Sequence, residues 1–418
     1  MIQAYVRIHK FNGAALVIQD DKIVYERSYG YRNAAQKSLI TKNSVFPIGS
    51  LTKSFTALII LKLAEEKKLS IEDPVSMYMP EYPRGDEILI KHLLTHTAGL
   101  YEPLRNPKYR EQITSTHAFH PEENVAFFKN EPLDFEPGSK FEYSNAGYNL
   151  LGVITEKITG LSYSEAVSRY IFNPLKMNES GFDFQKLKDK NKVTGYSRLT
   201  STKQEETKPW NPSLVYASGA LYSTTGDLHK FYKGLRDFKI ISKETFLQAT
   251  TPFKSGYGYG WFIDTIHGDR VIDHGGNLEG ATSYFLMMPE YKICIILLNN
   301  ITSTSLEKLG NSIYAALQNK PYSIPHPKKE ILLEEHILLS YVGTFEVSDK
   351  YRVEISKEAG GLVMKINGAD KIKLSAEREG IFFASDEDIV LEFISKDKKV
   401  IKLKIRQGLS TKVADKLG

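Results

Sequence analysis

The sequence predicts an α+β protein: an antiparallel sheet flanked by helices, with a helical subdomain beside it, followed by a small antiparallel β-barrel at the C-terminus. Three observations predict it. β-rich text stands at both ends of the first 318 residues and helical text fills the middle, so the two ends meet in one sheet. Residues 321–327, Pro-Tyr-Ser-Ile-Pro-His-Pro, read as a linker. Beyond them come only short apolar runs separated by Gly, Asp or Lys, a barrel or sandwich of roughly eighty residues. At 418 residues the chain exceeds one ordinary core. We expect a large domain over residues 1–320, a linker over 321–335 and a β-domain over 336–418.

The elements follow in order. A short N-terminal helix leads into the β-rich run Gly13–Gln19, Asp20-Asp21 is a turn, and Lys22–Tyr29 alternates like a half-buried strand. Phe46-Pro47-Ile48-Gly49-Ser50-Leu51-Thr52-Lys53 opens a helix whose continuation, Phe55–Leu63, is apolar all round and therefore buried. Asp73-Pro74-Val75 reads as a cap and helix start. Lys91-His92-Leu93-Leu94-Thr95-His96-Thr97-Ala98-Gly99-Leu100 reads as one helix, begun at Ile88 and stopped by Gly99. Residues 101–135 form loop and short helix. A Pro137-Gly138 turn then leads to Tyr143-Ser144-Asn145 and a helix over Ala146–Thr159, with another from Ser162. Asp227 is placed to cap the helix Leu228–Leu235. Strands are expected from Tyr257 on, at Arg270–His274, Ala281–Met288 and Lys292–Leu298, with a closing amphipathic helix over Thr302–Gln318. Seven strands are legible after Tyr341.

Composition sets limits. The chain is 41% hydrophobic and 25% charged, with a net charge of +5. The lysines are dispersed, which argues against a nucleic-acid partner. No apolar run is long enough to span a bilayer. Cys294 is the one cysteine and sits in an apolar run, so no intrachain disulfide forms. The N-terminus shows no charged segment followed by an apolar one. We expect a periplasmic or extracellular protein whose signal peptide is not part of this sequence, with a cytoplasmic protein as the alternative.

Three short motifs carry chemistry. Ser50 and Lys53 fall on one helix face, a turn apart. Burial and the helix dipole both disfavour the ammonium, so Lys53 can accept the serine proton. The same spacing recurs at Ser395 to Lys398, in a polar turn without chemical meaning. The second motif is Tyr143-x-Asn145, a pattern that Tyr31-Arg32-Asn33 also fits. The third is His274-Gly275-Gly276 on a strand, where glycines let the edge approach a ligand. His92 and His96 are spaced i, i+4, but no Glu follows His92. Buried histidines that fix a helix end are the better reading than metal ligands.

Together with Leu93–Leu100, Phe135–Gly152 and Ser223–Leu228, these motifs resemble the serine β-lactamase and penicillin-binding protein superfamily, in its class C β-lactamase-like branch, which also holds DD-peptidases and esterases. The resemblance covers about residues 10–318. It implies a β-lactamase/transpeptidase-like fold and a lipocalin-like appended barrel. It implies that Ser50 is acylated, Lys53 is its base, and Tyr143 is a proton shuttle whose pKa cationic Lys53 lowers. Asn145 would orient the substrate amide, the His274 strand would pair with the acyl chain, and the N–H groups of Ser50 and Asn277 would form the oxyanion hole. No cofactor or metal is expected.

Some features depart from the pattern. His274 stands where lysine is common, and Gly275 where threonine is. A histidine gains charge only toward lower pH, so carboxylate-bearing substrates should be favoured at pH 6 over pH 8 if that position matters. No Glu-x-x-x-Asn deacylation loop is found, so deacylation runs through Tyr143. The expected function is a serine hydrolase acting on a D-amino-acid peptide, ester or β-lactam carbonyl: a D-Ala-D-Ala carboxypeptidase or peptidase, or a class C β-lactamase-related hydrolase. Alternatives are an esterase of the same fold, and a non-catalytic protein binding cell-wall fragments or β-lactams. A metal hydrolase using His92, His96 and His117 is the least favoured. The barrel restricts the cleft, mediates assembly or only stabilises; oligomeric state is open.

Overall fold

A computed structural model describes the chain except residues 303–305, 349–350, 359–360, 369–370, 385–388, 398, 408–409 and 418. Gly13–Gln19 (β1) and Lys22–Ser28 (β2) form the N-terminal hairpin. Phe262–Ile266 (β3), Asp269–Leu278 (β4), Ala281–Met288 (β5) and Ile293–Asn299 (β6) follow the helical text. The antiparallel sheet runs β2-β1-β6-β5-β4-β3. Gly13 lies opposite Asn299, so the two ends of this region do meet in one sheet. β2 is the edge strand, and Ile23 and Val24 are exposed rather than half-buried.

Alternation along the strands gives the sheet two covered faces. Val17, Leu286, Ile295 and Leu297 pack against Ile2–Arg7 (α1) and Glu307–Leu317 (α6). Leu16, Phe285, Ile296 and Leu298 face the helical subdomain. Its main members are Thr52–Glu65 (α2), Ile90–Leu94 (α3), Asn145–Thr159 (α4) and Thr225–Arg236 (α5). As its composition demands, α2 is buried from Thr52 through Leu61. Cys294 is fully buried on β6.

Three helix readings need correction. The helix expected from Ile88 to Gly99 covers only Ile90–Leu94. The Thr95 hydroxyl bonds back to the Lys91 carbonyl, the Thr97 N–H to that of His92, and His96 turns left-handed at φ 56°. Asp227 does not cap α5: Thr224 accepts its N–H at 3.1 Å, while its carboxylate accepts the Glu179 N–H and the Lys230 ammonium. The closing helix α6 starts at Glu307, not Thr302.

Glu335–Ser340 (α7) leads into a closed eight-stranded antiparallel barrel, lipocalin-like rather than a sandwich. Its strands are Gly343–Ser348 (β7), Tyr351–Glu358 (β8), Gly361–Ile366 (β9), Ile372–Arg378 (β10), Ile381–Ala384 (β11), Ile389–Lys396 (β12), Lys399–Gln407 (β13) and Ser410–Lys416 (β14). The eighth strand lacks an apolar run and escapes a sequence reading, yet it closes the barrel, with Phe345 opposite Lys416. Phe345, Leu362, Leu391 and Leu403 fill the interior. Ile331 already pairs with Ala376 of β10. Of the decoy pair, Ser395 is the last residue but one of β12 and Lys398 lies outside the described residues. Among the described residues no helix is long and apolar enough to cross a membrane.

Asp273 on β4 is buried, and burial plus the charges of Glu307 and Asp264 raise its pKa well above the usual carboxylate value. The folded state therefore holds a proton that the unfolded chain releases. This favours folding below the ordinary Asp pKa and is lost as pH rises through the folded value. Asp273→Asn should raise Tm at pH 8 by about 2–4 °C and leave it unchanged near pH 4, read by thermal denaturation at both pH values.

Candidate active site

Ser50 sits where the chain enters α2. Phe46-Pro47 pairs with Tyr222-Ser223, and a tight turn over Gly49–Leu51 feeds the helix. Gly49 is left-handed at φ 52°, and a Cβ there would lie 3.0 Å from the Asn277 nitrogen. Only glycine lets the turn sit this close to β4. Ser50 is half-buried, while Lys53, one turn on, is sealed from solvent.

Lys53 Nζ donates to Ser50 Oγ at 3.2 Å, Asn145 Oδ1 at 2.8 Å and the Ser218 carbonyl at 2.9 Å. Burial draws its pKa down to about 7, with the Glu102 carboxylate pulling the other way. A substantial fraction of neutral amine therefore exists at neutral pH, as the helix setting suggested.

Tyr143 follows the Pro137-Gly138 turn, which Lys254 fastens by bonding the Gly138 and Ser139 carbonyls, both at 2.7 Å. Its ring lies against the His96 imidazole at 4.1 Å and beside Lys53, with Nζ 4.8 Å from the ring centre. Its hydroxyl bonds with Ser50. The expected lowering of the phenol pKa does not occur. Burial raises it, and Glu102 adds to the rise, which outweighs the lowering by the Ser50 bond. The phenol stays protonated and is a proton donor.

Asn145 is the first residue of α4, behind the Ser144 cap. Its Nδ2 donates to Glu102 Oε1 at 2.9 Å and its backbone N–H to Glu102 Oε2 at 2.7 Å. The carboxamide expected to face substrate is thus engaged at both ends.

β3 pairs with β4 only as far as Asp273, opposite Phe262, so residues 274–278 lack a partner on that side among the described residues. Asn277 is exposed there. His274 is not part of that open edge's chemistry. It is 1% exposed, bonded to the Tyr257 hydroxyl through Nε2 at 3.1 Å and to the Gly275 carbonyl through Nδ1 at 2.7 Å. Burial, then the nearby Lys53, lowers its pKa to about 3. The idea that it gains charge near pH 6 is therefore corrected: it is neutral throughout the working range. The glycines also divide differently. Gly276 is forced by the Ile48 carbonyl, which a Cβ would meet at 1.9 Å, whereas Gly275 has room for one.

The histidines are dispersed. His92 Nδ1 accepts the Leu89 N–H and secures the start of α3. His96 Nδ1 accepts the Ser144 N–H. His117 is exposed and packs on Phe119. Tyr31-Arg32-Asn33 lies in a short hairpin with Ser38-Leu39. The sequence reading missed Glu102, which falls in the stretch 101–135 read only as loop and short helix; in the structure it caps the turn over Pro103–Arg105 by accepting the Leu104 N–H. It also missed the Ser218 carbonyl, since a backbone acceptor has no side-chain signature.

A serine bonded to a buried, near-neutral amine, on a helix held against an antiparallel sheet, defines this protein as a serine hydrolase. The relatives agree. The profile of the Beta-lactamase family matches residues 1–320, and the chain belongs to that family. Penicillin-binding protein 4* of Bacillus subtilis (strain 168) is 30% identical over 415 residues, spanning 92% of this chain and 90% of its own. The octameric penicillin-binding protein homologue from Pyrococcus abyssi superposes with a TM-score of 0.68 at 28% identity, over 99% of this chain and 98% of that one. The penicillin binding protein from Bacillus halodurans has a TM-score of 0.68 at 25% identity, over 76% and 98%.

Gly276→Ala should drive the Ile48 carbonyl away from β4 and displace Ser50. Labelling of Ser50 by a fluorophosphonate should slow by roughly 100-fold or more, the scale of losing an oxyanion donor. Gly275→Ala should label within a few-fold of wild type, and equal rates for the two variants would refute this packing account.

Proposed function

We propose that the protein is a penicillin-binding-protein-like peptidase that cleaves D-amino-acid peptide carbonyls through an acyl-enzyme on Ser50. One observation carries it: Lys53 Nζ stands 3.2 Å from Ser50 Oγ with a pKa near 7. Neutral Lys53 takes the Ser50 proton as Oγ attacks the carbonyl carbon. The N–H groups of Ser50 and Asn277 receive the developing oxyanion. Tyr143 gives its proton to the leaving nitrogen or oxygen and regains one from the Lys53 ammonium. Water then repeats the sequence on the ester, releasing the acid and Ser50. The penicillin-binding relatives support the substrate class.

A second reading, an esterase, has its own observation. His274 is neutral and Gly275 has no hydroxyl, so the third strand offers a substrate carboxylate neither a charge nor that bond. Further parts of the proposal are a catalytic domain over 1–320, a linker over 321–335, a barrel domain over 336–418 and a site of action outside the cytoplasm. Self-association, as in the octameric relative, belongs to it too and is read by light scattering.

The test is a panel of nitrocefin, a D-alanyl-D-alanine peptide and short-chain nitrophenyl esters, with fluorescent penicillin as label. Wild type should be labelled and Ser50→Ala should not. Label retained in Ser50→Ala removes the nucleophile, and an unlabelled, folded wild type favours the non-catalytic binding reading. Preferential turnover of the peptide supports the peptidase, and that of the nitrophenyl esters the esterase.

The pH profile is a separate check. Because the active amine is the unprotonated one, acylation should rise with pH about a midpoint near 7, the value of Lys53. The ratio of peptide to ester turnover should be the same at pH 6 and pH 8, since His274 is neutral at both. A ratio favouring the peptide at pH 6 would contradict the buried, neutral imidazole.

A further inference from the structure

We propose that Glu102 is a positioning residue for acyl transfer: its carboxylate locks the Asn145 carboxamide with Oδ1 toward Lys53, which aims the lysine lone pair at Ser50. This rests on the acyl-enzyme reading above.

A carboxylate can only accept hydrogen bonds. Two donors of Asn145 converge on it, the backbone N–H on Oε2 and Nδ2 on Oε1. The amide nitrogen must therefore face Glu102, and the amide oxygen must face Lys53. A carboxamide free to turn over would set its NH2 against the amine, donor to donor. With Oδ1 fixed, Lys53 has two acceptors that are not reactants, Asn145 Oδ1 at 2.8 Å and the Ser218 carbonyl at 2.9 Å. A neutral amine has two N–H bonds and one lone pair. Both N–H bonds are then committed, and the lone pair is left for the remaining neighbour, Ser50 Oγ. The orientation needed by a general base follows from an acceptor that never touches the serine.

The carboxylate is itself fixed. Oε1 also accepts the Leu104 N–H at 3.2 Å, and Pro103 follows directly. The turn before it is pinned by Gly99, where a Cβ would meet the Phe135 carbonyl at 2.1 Å. Plain helix capping does not explain this contact. Ser144 already caps α4 by accepting the Ala146 N–H, and a cap has no use for Nδ2.

The groups facing Lys53 are Glu102, Tyr143 and Tyr148, with His96 and His274 close enough to feel its charge. Burial keeps both phenols protonated and both imidazoles neutral. Glu102 is thus the charged group of this set. Tyr109 and Tyr143 are the phenols that feel it in turn. Its field supports the Lys53 ammonium against desolvation, so removing the charge lets the lysine pKa fall further.

The test compares acylation of wild type, Glu102→Gln, Glu102→Asp, Asn145→Ala and the double variant Glu102→Gln/Asn145→Ala. Nitrophenyl ester bursts and fluorophosphonate labelling are followed from pH 5 to 9, with Tm recorded for each protein. Glutamine offers one acceptor oxygen for two donors and no charge. Its maximal acylation rate should fall by about 10–100-fold with KM little changed, and the acid limb should move to lower pH. The maximal rate of the double variant should equal that of Asn145→Ala within about twofold, because Glu102 acts on that rate through Asn145, while its acid limb should still lie at lower pH because the charge acts on Lys53 directly. Aspartate keeps the charge but not the reach, so its maximal rate should fall while the midpoint stays put. A lower Tm with an unmoved midpoint, losses that multiply in the double variant, or an aspartate variant that acylates as wild type would each overturn the proposal. Failure of wild type itself to acylate would instead strike the parent reading, so the two failures are told apart.

Discussion

A lysine held inside an apolar helix is the constraint on which the rest of the first 320 residues depends. Lys53 is fully buried, and an isolated ammonium in such a place costs several kcal/mol. The protein relieves that cost in two ways. It lets the amine approach neutrality, and it brings three acceptors to Nζ from three separate parts of the chain. Ser50 comes from the turn that feeds α2, Asn145 from the start of α4, and the Ser218 carbonyl from the segment Pro212–Gly219. That segment is not relaxed. Tyr216 has φ 35° and ψ −126°, a conformation costing about 1–3 kcal/mol. It is held by the Tyr216 hydroxyl on Glu156, by the Asn149 carboxamide on the Ser218 N–H, and by packing on Gly152, where a Cβ would meet Ala217 and Tyr216 at 2.5 Å.

The sheet supplies the opposing wall with the same economy of space. The Ile48 carbonyl accepts the Ser283 hydroxyl at 2.7 Å and lies over Gly276, so the serine turn is bolted to β4 and β5 before any substrate arrives. His274 belongs to this structural layer. With Tyr257, Phe262 and His96 it forms an aromatic packing around the part-buried Tyr143, beside the sealed Lys53. The low dielectric that makes the lysine a usable base keeps the imidazoles uncharged.

The sequence was informative where one residue type has one physical use. The apolar run after Lys53 dictated a buried helix, and alternation and turns located the strands of the sheet and seven of the eight in the barrel. The eighth, Ser410–Lys416, packs only through neighbours, with Ala414 buried and Val413 exposed, so nothing in its composition announces a strand. Ser50, Lys53, Tyr143 and Asn145 stood out through the joint resemblance of their motifs to the superfamily, and they come together. What spacing could not convey was environment. His274 reads as a titratable group and Tyr143 as a phenol next to a cation, and burial reverses both expectations. Glu102 carries no signal in its own stretch of sequence, because its role depends on a helix start that lies 43 positions later.

The pairing of β1 with β6 also has a consequence for biosynthesis. Gly13 finds its partner at Asn299, so the first strand leaves the ribosome long before its neighbour exists. At about 5–20 residues per second the hairpin waits on the order of tens of seconds with an unmatched apolar edge. During that interval the nascent chain is a natural client for chaperones that keep such an edge covered.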